Sequence, residues 1–176
     1  GAPWNRRAET KPGDVWLQAS VGARFPPTPA MTTLSDMPEY PDIVNYVEAI
    51  GERALRSRLE RIELLHPFLL RTVSPAPGEV EGRELTGVDR LGKRIVLGLS
   101  GEAYLLVHLM IAGRLHWQAG ARRQRTAKPL ARFQFTCGTL ILTEAGSKRR
   151  ASLHIVGSEE ELGAFDRGGL DPTSAE

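Results

Sequence analysis

The sequence is short of the residues that cross-link a chain or anchor it in a membrane. It has one cysteine, Cys137, in 176 residues, so neither an intrachain disulfide nor a four-thiolate zinc site can form. No apolar run reaches the roughly 18 residues that span a bilayer, and the first ten residues lack the apolar stretch of a secretory signal. These absences exclude a disulfide scaffold and a transmembrane helix, and they favour a reducing, cytoplasmic compartment.

The composition is that of a globular protein. Hydrophobic residues make up 41% of the chain and charged residues 25%, which excludes disorder over the whole length. The length fits one domain, or one domain with a tail.

Positive charge is concentrated in the second half of the chain. Residues 90–150 contain twelve lysines and arginines and only two acids, Glu102 and Glu144, although the net charge of the whole chain is only +2. Such asymmetry favours a polyanion-binding face. The alternative is a solvated surface whose charges spread over both faces of a sheet.

Residues 1–36 differ in composition from the rest of the chain. Five prolines and an absence of periodicity predict an extended or disordered extension, or a start codon assigned too early. An amphipathic helix of about four turns is predicted from Pro41, because Ile43, Val47, Ile50 and Ala54 recur at helical spacing. A proline in a first helical turn is well tolerated.

Short strand-like segments come after this helix, and a short acidic helix is predicted in SEEELGAFDRGGLDP. Nine segments qualify as strands: LERIELL, FLLRTV, RELTGVDRL, KRIVLGL, AYLLVHLM, RLHWQ, ARFQFT, TLILTE and SLHIV. ARFQFTCGTLILTE predicts a hairpin with its turn at Cys137 and Gly138. The fold class is therefore mainly β with α, an N-terminal helix followed by an eight- or nine-stranded antiparallel β-sandwich.

Four motifs occur in the order found in one enzyme family. MPEYPDIVNYVEAI resembles the opening of the formamidopyrimidine-DNA glycosylases, which begin Met-Pro-Glu-Leu-Pro-Glu. RLGKRIVLGL resembles their Arg-Arg-Gly-Lys strand, and LLVHLMIAGRL their His-Leu-Gly-Met-Ser-Gly turn. GGLDP resembles the segment that closes their first domain. The resemblance runs from residue 37 to residue 172 and implies a glycosylase N-terminal catalytic domain over that range, with 173–176 as a truncated linker.

The resemblance implies catalytic roles for Pro38, Glu39 and Lys93. The family removes oxidised bases, such as oxidised purines, and cleaves the exposed sugar through a Schiff base on an N-terminal proline. Pro38 matches that nucleophile, Glu39 the proton-transferring carboxylate, and Lys93 the lysine that contacts phosphate and sugar at the lesion. Without the motifs, these residues would be interpreted as a turn proline, a helix N-terminal carboxylate and a surface lysine.

The resemblance also implies residues that bind DNA. His108 matches a histidine that contacts backbone phosphate, although a histidine on an apolar strand is otherwise a core residue. Ile111 stands where the family has a methionine wedge, and Arg149 and Arg150 stand in its arginine-rich loop. The usual Asp-Pro-Arg-Arg-Phe-Gly run is replaced here by EAGSKRRAS, which lacks the aromatic residue.

Two features conflict with activity of the chain as written. Pro38 is internal, and an amide nitrogen cannot act as the nucleophile, so catalysis requires an N-terminus at Pro38. The family also needs a second domain with a helix–two-turns–helix motif and usually a zinc finger, which these residues do not provide. We therefore expect no cofactor in this chain, zinc in the missing C-terminal part, and weak, salt-dependent DNA affinity.

The expected partner is damaged double-stranded DNA, with no membrane and a monomeric protein that is nucleoid-associated if it is bacterial. The expected activity is that of a bifunctional DNA glycosylase and abasic-site lyase in base-excision repair. One alternative is a non-catalytic module that binds damaged DNA, if residues 1–36 are retained. Another is a small β-domain that binds RNA or an acidic protein, although the glycine and aromatic signature of common RNA-binding sheets is missing.

Overall fold

The computed structural model describes residues 40–120, 128–145 and 147–166. A helix opens this part of the chain, a short helix interrupts the strands and another closes it. In chain order the elements are α1 (Tyr40–Ala54), β1 (Leu59–Leu64), α2 (Pro77–Val80), β2 (Leu85–Leu91), β3 (Arg94–Leu99), β4 (Ala103–His108), β5 (Gly113–Ala119), β6 (Pro129–Phe135), β7 (Gly138–Glu144), β8 (Ser152–Val156) and α3 (Glu159–Ala164). No helix in these ranges combines the length and apolarity needed to cross a membrane.

The eight strands form two antiparallel sheets of four. One has the order β1-β6-β7-β5 and the other the order β2-β3-β4-β8. The prediction of an N-terminal helix followed by an eight-stranded antiparallel β-sandwich is confirmed.

The core lies between the two sheets and under α1. Phe133 and Leu140 from the first sheet, and Leu97 and Leu105 from the second, are fully buried there. Strands β3 and β4 are buried on both faces because a second apolar cluster, closed by Leu162 of α3, covers their outer side. That double burial explains why RIVLGL and AYLLVH are nearly continuous apolar runs.

Helix α1 lies along the length of the sandwich. Its buried stripe contains Ile43, Val47, Ile50 and Ala54, as the spacing predicts. Just after its C-terminal end, the Arg56 N–H donates to the Leu85 carbonyl at the start of β2. Near its N-terminal end, the Tyr46 hydroxyl accepts from the Leu115 N–H at 3.4 Å. A helix of 15 residues is about 22 Å long, so its two ends lie at opposite ends of the sandwich.

Two local predictions are wrong. FLLRTV is not a strand: only Leu70 forms an isolated parallel bridge, with Leu153. Phe68 and Val73 of this segment are 71% and 95% exposed, so its apolar residues do not share one buried face. The β6–β7 turn consists of Thr136 and Cys137 rather than Cys137 and Gly138, because Gly138 already pairs with Phe135. A Cβ on Gly138 would lie 2.6 Å from the Trp117 ring, so packing explains this glycine.

We expect Phe133→Ala to lower the free energy of unfolding by about 3–5 kcal/mol, because it empties a fully buried site. Phe68→Ala is the matched control, and its exposed ring should change the stability by less than about 0.5 kcal/mol. Denaturant unfolding of the two variants measures both effects. Equal losses would contradict the position of the core.

Candidate nucleic-acid interface

The residues predicted to bind DNA converge at one end of the sandwich. In the second sheet Arg94 of β3 pairs with His108 of β4, which pairs with Ser152 of β8. The neighbouring connections carry the other predicted residues. We call this end the basic corner and define it by Lys93, His108, Ile111, Arg149 and Arg150.

Lys93 lies in the two-residue turn between β2 and β3. Leu91 and Arg94 pair across this turn, and Gly92 has a φ of +61°, which glycine adopts without steric cost. The Lys93 side chain is exposed. A short, tightly closed turn of this kind presents an ammonium group to solvent at a defined position.

His108 is the last residue of β4 and is half-buried on the outer face of the second sheet. It is therefore not a core histidine. Burial lowers the pKa of His108, and the positive charges of Arg94 and Lys93 lower it further, with a smaller effect from His154. The charged groups of the described residues that act on the ring are thus basic. A neutral imidazole can still donate one hydrogen bond to a phosphate oxygen.

The β4–β5 connection is a tight turn that displays Ile111. The Gly113 N–H donates to the Leu109 carbonyl at 2.9 Å and closes the turn. A Cβ on Gly113 would lie 2.2 Å from that carbonyl oxygen, so no larger residue fits there without moving the backbone. Met110 has a φ of +55°. Ile111, at the tip, is 40% exposed, so its apolar side chain is accessible at this end, as insertion into a base stack would require.

The β7–β8 connection is held by Glu144, a residue that sequence reasoning did not select. Its carboxylate is only 6% exposed. Both oxygens accept the Arg150 N–H at 2.9 Å, and they accept the Ala151 N–H at 3.2 to 3.3 Å. A buried carboxylate is stable only when hydrogen bonds replace its hydration. The signal in the sequence was that Glu144 is one of only two acids in an otherwise basic stretch.

The two arginines after Glu144 differ in their contacts. The Arg149 guanidinium donates to the Glu144 carbonyl at 2.9 Å, so it helps to fold the loop. Arg150 is exposed, and among the described residues its guanidinium makes no hydrogen bond or ion pair. Arg150 is therefore the better candidate for a direct contact with an anion.

Residues on the outer face of the second sheet extend the positive potential. The Arg94 guanidinium lies 5.6 Å from the centre of the Phe165 ring, and the His154 ring makes an edge contact with Phe165 at 4.9 Å. Burial lowers the pKa of His154, with further contributions from Arg94 and Arg71. Sequence reasoning missed Arg94 and His154 because only strand pairing shows that they share a face with His108.

Pro38 and Glu39 lie outside the described residues. The first described residue, Tyr40, begins α1, whose first turn contains Asp42. Asp42 and Arg114 both act on the Tyr46 hydroxyl, whose pKa is raised mainly by burial. The Tyr46 hydroxyl, in the second turn of α1, accepts from the Leu115 N–H, so this part of the helix lies beside the first half of β5.

No group of three potential metal ligands among His, Cys, Asp and Glu occurs in the described ranges. The predicted extension 1–36, the domain-closing segment GGLDP and the linker 173–176 lie outside the described residues.

Within the described residues, the basic corner gathers positive charge at one end of an antiparallel sandwich, an arrangement that favours a polyanion. Residues 37–151 match the family described as formamidopyrimidine-DNA glycosylase N-terminal domain. The chain belongs to this family.

Curated relatives carry the same family name. The chain is 34% identical over 87 residues to a formamidopyrimidine-DNA glycosylase of Moorella thermoacetica, an alignment that covers 48% of this chain and 32% of the relative. It is 31% identical over 102 residues to the Protochlamydia amoebophila protein, covering 56% and 36% of the two chains. Against the Mycoplasma genitalium protein it is 22% identical over 141 residues, covering 79% and 49%. The chain thus spans between a third and a half of the length of these relatives.

Solved structures of the Lactococcus lactis enzyme share the fold. Its complex with DNA containing FAPY-dG superimposes with a TM-score of 0.66 at 18% identity, covering 73% of this chain and 48% of the other. Its complex with DNA containing an abasic site gives the same TM-score and identity, covering 73% and 47%.

We expect Glu144→Ala to lower the free energy of unfolding by about 1–3 kcal/mol, because it leaves two backbone N–H groups without their acceptor. The amide protons of Arg150 and Ala151 should exchange faster. Glu160→Ala, at an exposed glutamate of α3, is the control and should change neither quantity. Unchanged exchange in the Glu144 variant would show that the carboxylate does not hold the loop.

The lowered histidine pKa values predict the direction of one pH effect. Burial lowers the pKa of His108, His116 and His154 in the folded chain, with nearby arginines adding to it. Below about pH 6.5, the ordinary pKa of histidine, the three histidines therefore take up protons in the unfolded chain before they do so in the folded chain. The free energy of unfolding that the three neutral histidines contribute is present above that pH and is lost as the pH falls. Denaturant unfolding between pH 7.5 and 5.5 should show this loss, and His108→Gln should reduce it. An identical pH dependence in the variant would contradict the assignment.

Proposed function

We propose that this chain is the catalytic domain of a base-excision DNA glycosylase that removes oxidised bases, such as oxidised purines. We further propose that it cleaves the resulting abasic site as a lyase. Family membership supports the first activity. The observation that carries the proposal is the basic corner, where two connections bring Lys93 and Arg150 to the end of β4 that carries His108.

The corner suits the sugar–phosphate backbone on either side of a displaced nucleotide. Lys93 supplies an exposed ammonium group, His108 a neutral ring donor in a positive field, and Arg150 an uncommitted guanidinium. These groups bind phosphate without reading base sequence. Ile111, exposed between them at a turn tip, would fill the gap that the displaced base leaves in the stack.

Pro38 would act as the nucleophile. Its secondary amine attacks C1′ of the damaged nucleotide, a C–N bond forms, and the glycosidic bond breaks as the base leaves with a proton. The C1′–O4′ bond then breaks, the ring oxygen takes up a proton, and C1′ becomes an iminium. The iminium acidifies the C2′ proton, and removal of that proton expels the 3′ phosphate. Glu39 would give and take the protons at the sugar. The contact between Tyr46 of α1 and the first half of β5 supports these roles, because Pro38 and Glu39 are the two residues before that helix.

Further parts of the proposal concern the whole protein. We propose a monomer that binds damaged double-stranded DNA and works in the cytoplasm, associated with the nucleoid if the source is bacterial. A second domain would complete the DNA-binding surface and hold zinc. The partial coverage of the relatives is consistent with this division.

The alternative is a non-catalytic module that binds damaged DNA. The specific observation in its favour is that 37 residues precede Pro38 in the sequence, and an acylated proline nitrogen cannot attack C1′. The state of the N-terminus therefore distinguishes the two functions.

Borohydride trapping on duplex DNA with an abasic site tests the catalytic proposal. A protein that begins at Pro38 should give a covalent adduct, and the chain that begins at Gly1 should give none. In the Pro38 form, Lys93→Ala should lower the yield by at least about tenfold, because an ion pair with the phosphate is lost, whereas the exposed Arg61→Ala should not.

Two results would overturn parts of this proposal. An adduct from the chain that retains residues 1–36 would rule out Pro38 as the nucleophile. No adduct from the Pro38 form, together with retained binding to abasic DNA, would favour the non-catalytic module.

A further inference from the structure

A polar cleft lies at the end of the sandwich opposite the basic corner. It has a volume of about 560 Å³ and is lined by Arg56, Arg58, Gly82, Glu84, Ser100 and Thr136. We call it the distal cleft. Strand β4 separates it from the corner, because Ser100 lies just before β4 and His108 ends that strand. Five residue steps along a strand span about 17 Å.

Two arginines line this cleft with their guanidinium groups uncommitted within the described part of the chain. In those ranges neither Arg56 nor Arg58 makes an ion pair or a side-chain hydrogen bond. Most arginines on a protein surface need no explanation. Two that line one concave site of ligand size, together with two hydroxyl groups, form an arrangement that suits an oxyanion.

Arg56 stands where the backbone favours glycine. Its φ is +66°, in the left-handed region that a side chain makes unfavourable. It follows the end of α1 by two residues, a place where glycine usually terminates a helix. The backbone is held there by the bond from Arg56 N–H to the Leu85 carbonyl at 2.8 Å. The side chain of Arg56 thus occupies a position where glycine would avoid the steric cost.

Capping of α1 does not account for these arginines. Three of the last four carbonyls of the helix already have donors. Gly51 accepts from the Leu55 N–H at 3.3 Å, Arg53 from the Cys137 thiol at 3.1 Å, and Ala54 from Ser57. The guanidinium groups of Arg56 and Arg58 are thus available for a ligand.

The hydroxyl groups of the cleft are positioned by the backbone. The Glu84 N–H donates to the Ser100 hydroxyl at 3.1 Å, and the Arg58 N–H to the Thr136 hydroxyl at 3.4 Å. Each hydroxyl accepts in these bonds and keeps its own proton for a ligand oxygen. Glu84 opposes an anion, but one carboxylate is outweighed by two guanidinium groups.

We propose that the distal cleft is a second oxyanion site that binds a phosphate group. The phosphate can belong to a free phosphorylated compound or to the backbone of a DNA strand that does not occupy the basic corner. The site is independent of the glycosylase reaction, since it shares no residue with the basic corner.

Titration of the chain Gly1–Glu176 with inorganic phosphate at constant ionic strength, followed by amide NMR, tests this proposal. We expect saturable shifts at Arg58, Ser100 and Thr136, with no matching change in a chloride titration. Shifts confined to the basic corner, or no saturation at all, would overturn it.

Three variants in the cleft and one control outside it sharpen the test. Arg56→Gly should lower phosphate affinity by at least about tenfold, since a charge-assisted contact is lost, while thermal stability is unchanged or raised because glycine relieves the strain. Arg58→Gln should weaken binding similarly, whereas Arg61→Gln, on the neighbouring strand, should not. Glu84→Gln should tighten binding by about twofold to fivefold. Unchanged affinity in the Arg56 and Arg58 variants would reject the site.

A short DNA duplex distinguishes the two sources of phosphate. If backbone phosphate is the ligand, the duplex should compete with inorganic phosphate, and Arg56→Gly should reduce the salt dependence of duplex binding by about one ion. If a free compound is the ligand, the duplex should leave the distal shifts unchanged. Neither result depends on formation of a covalent adduct at Pro38. A failure of the phosphate-site proposal can therefore be distinguished from a failure of the catalytic proposal.

Discussion

The register between β3, β4 and β8 is the constraint on which the rest of this structure depends. Alternate residues of these strands face the shared core, so a slip by one residue would move every apolar side chain to the other face. The same register places Arg94, His108 and Ser152 side by side. Burial of the apolar faces therefore also positions the basic corner, although none of its charged groups contributes to the core.

Each connection at that corner is shaped by a different local device. Gly92 allows the turn that carries Lys93, Gly113 allows the close approach that displays Ile111, and the buried carboxylate of Glu144 gathers the loop that carries Arg150. Short, hydrogen-bonded connections lose little further entropy when they bind a ligand. The corner is preorganised for a phosphate backbone in this sense.

Much of the fold was predictable because the patterns that carry it are local. The stripe of Ile43, Val47 and Ile50 predicted α1, and alternation predicted β6 and β7. FLLRTV failed because its composition is strand-like, while the structure buries Leu69 and leaves Phe68 and Val73 exposed, a difference that only the neighbouring elements decide. The β6–β7 turn was misplaced by one residue because Gly138 was interpreted as a turn glycine, whereas Trp117 packs against its backbone.

The amino-acid sequence by itself determined the helix, most strands, the basic stretch and the motifs that place the chain among the formamidopyrimidine-DNA glycosylases. These signals depend on neighbouring residues or on short spacings. Only the tertiary structure showed that Glu144 holds the arginine loop, that Arg94 and His154 share a face with His108, and that Arg56 and Arg58 line a cleft with Ser100 and Thr136. Those groupings join residues far apart in the chain, and strand pairing, which brings them together, leaves no periodic trace in the sequence.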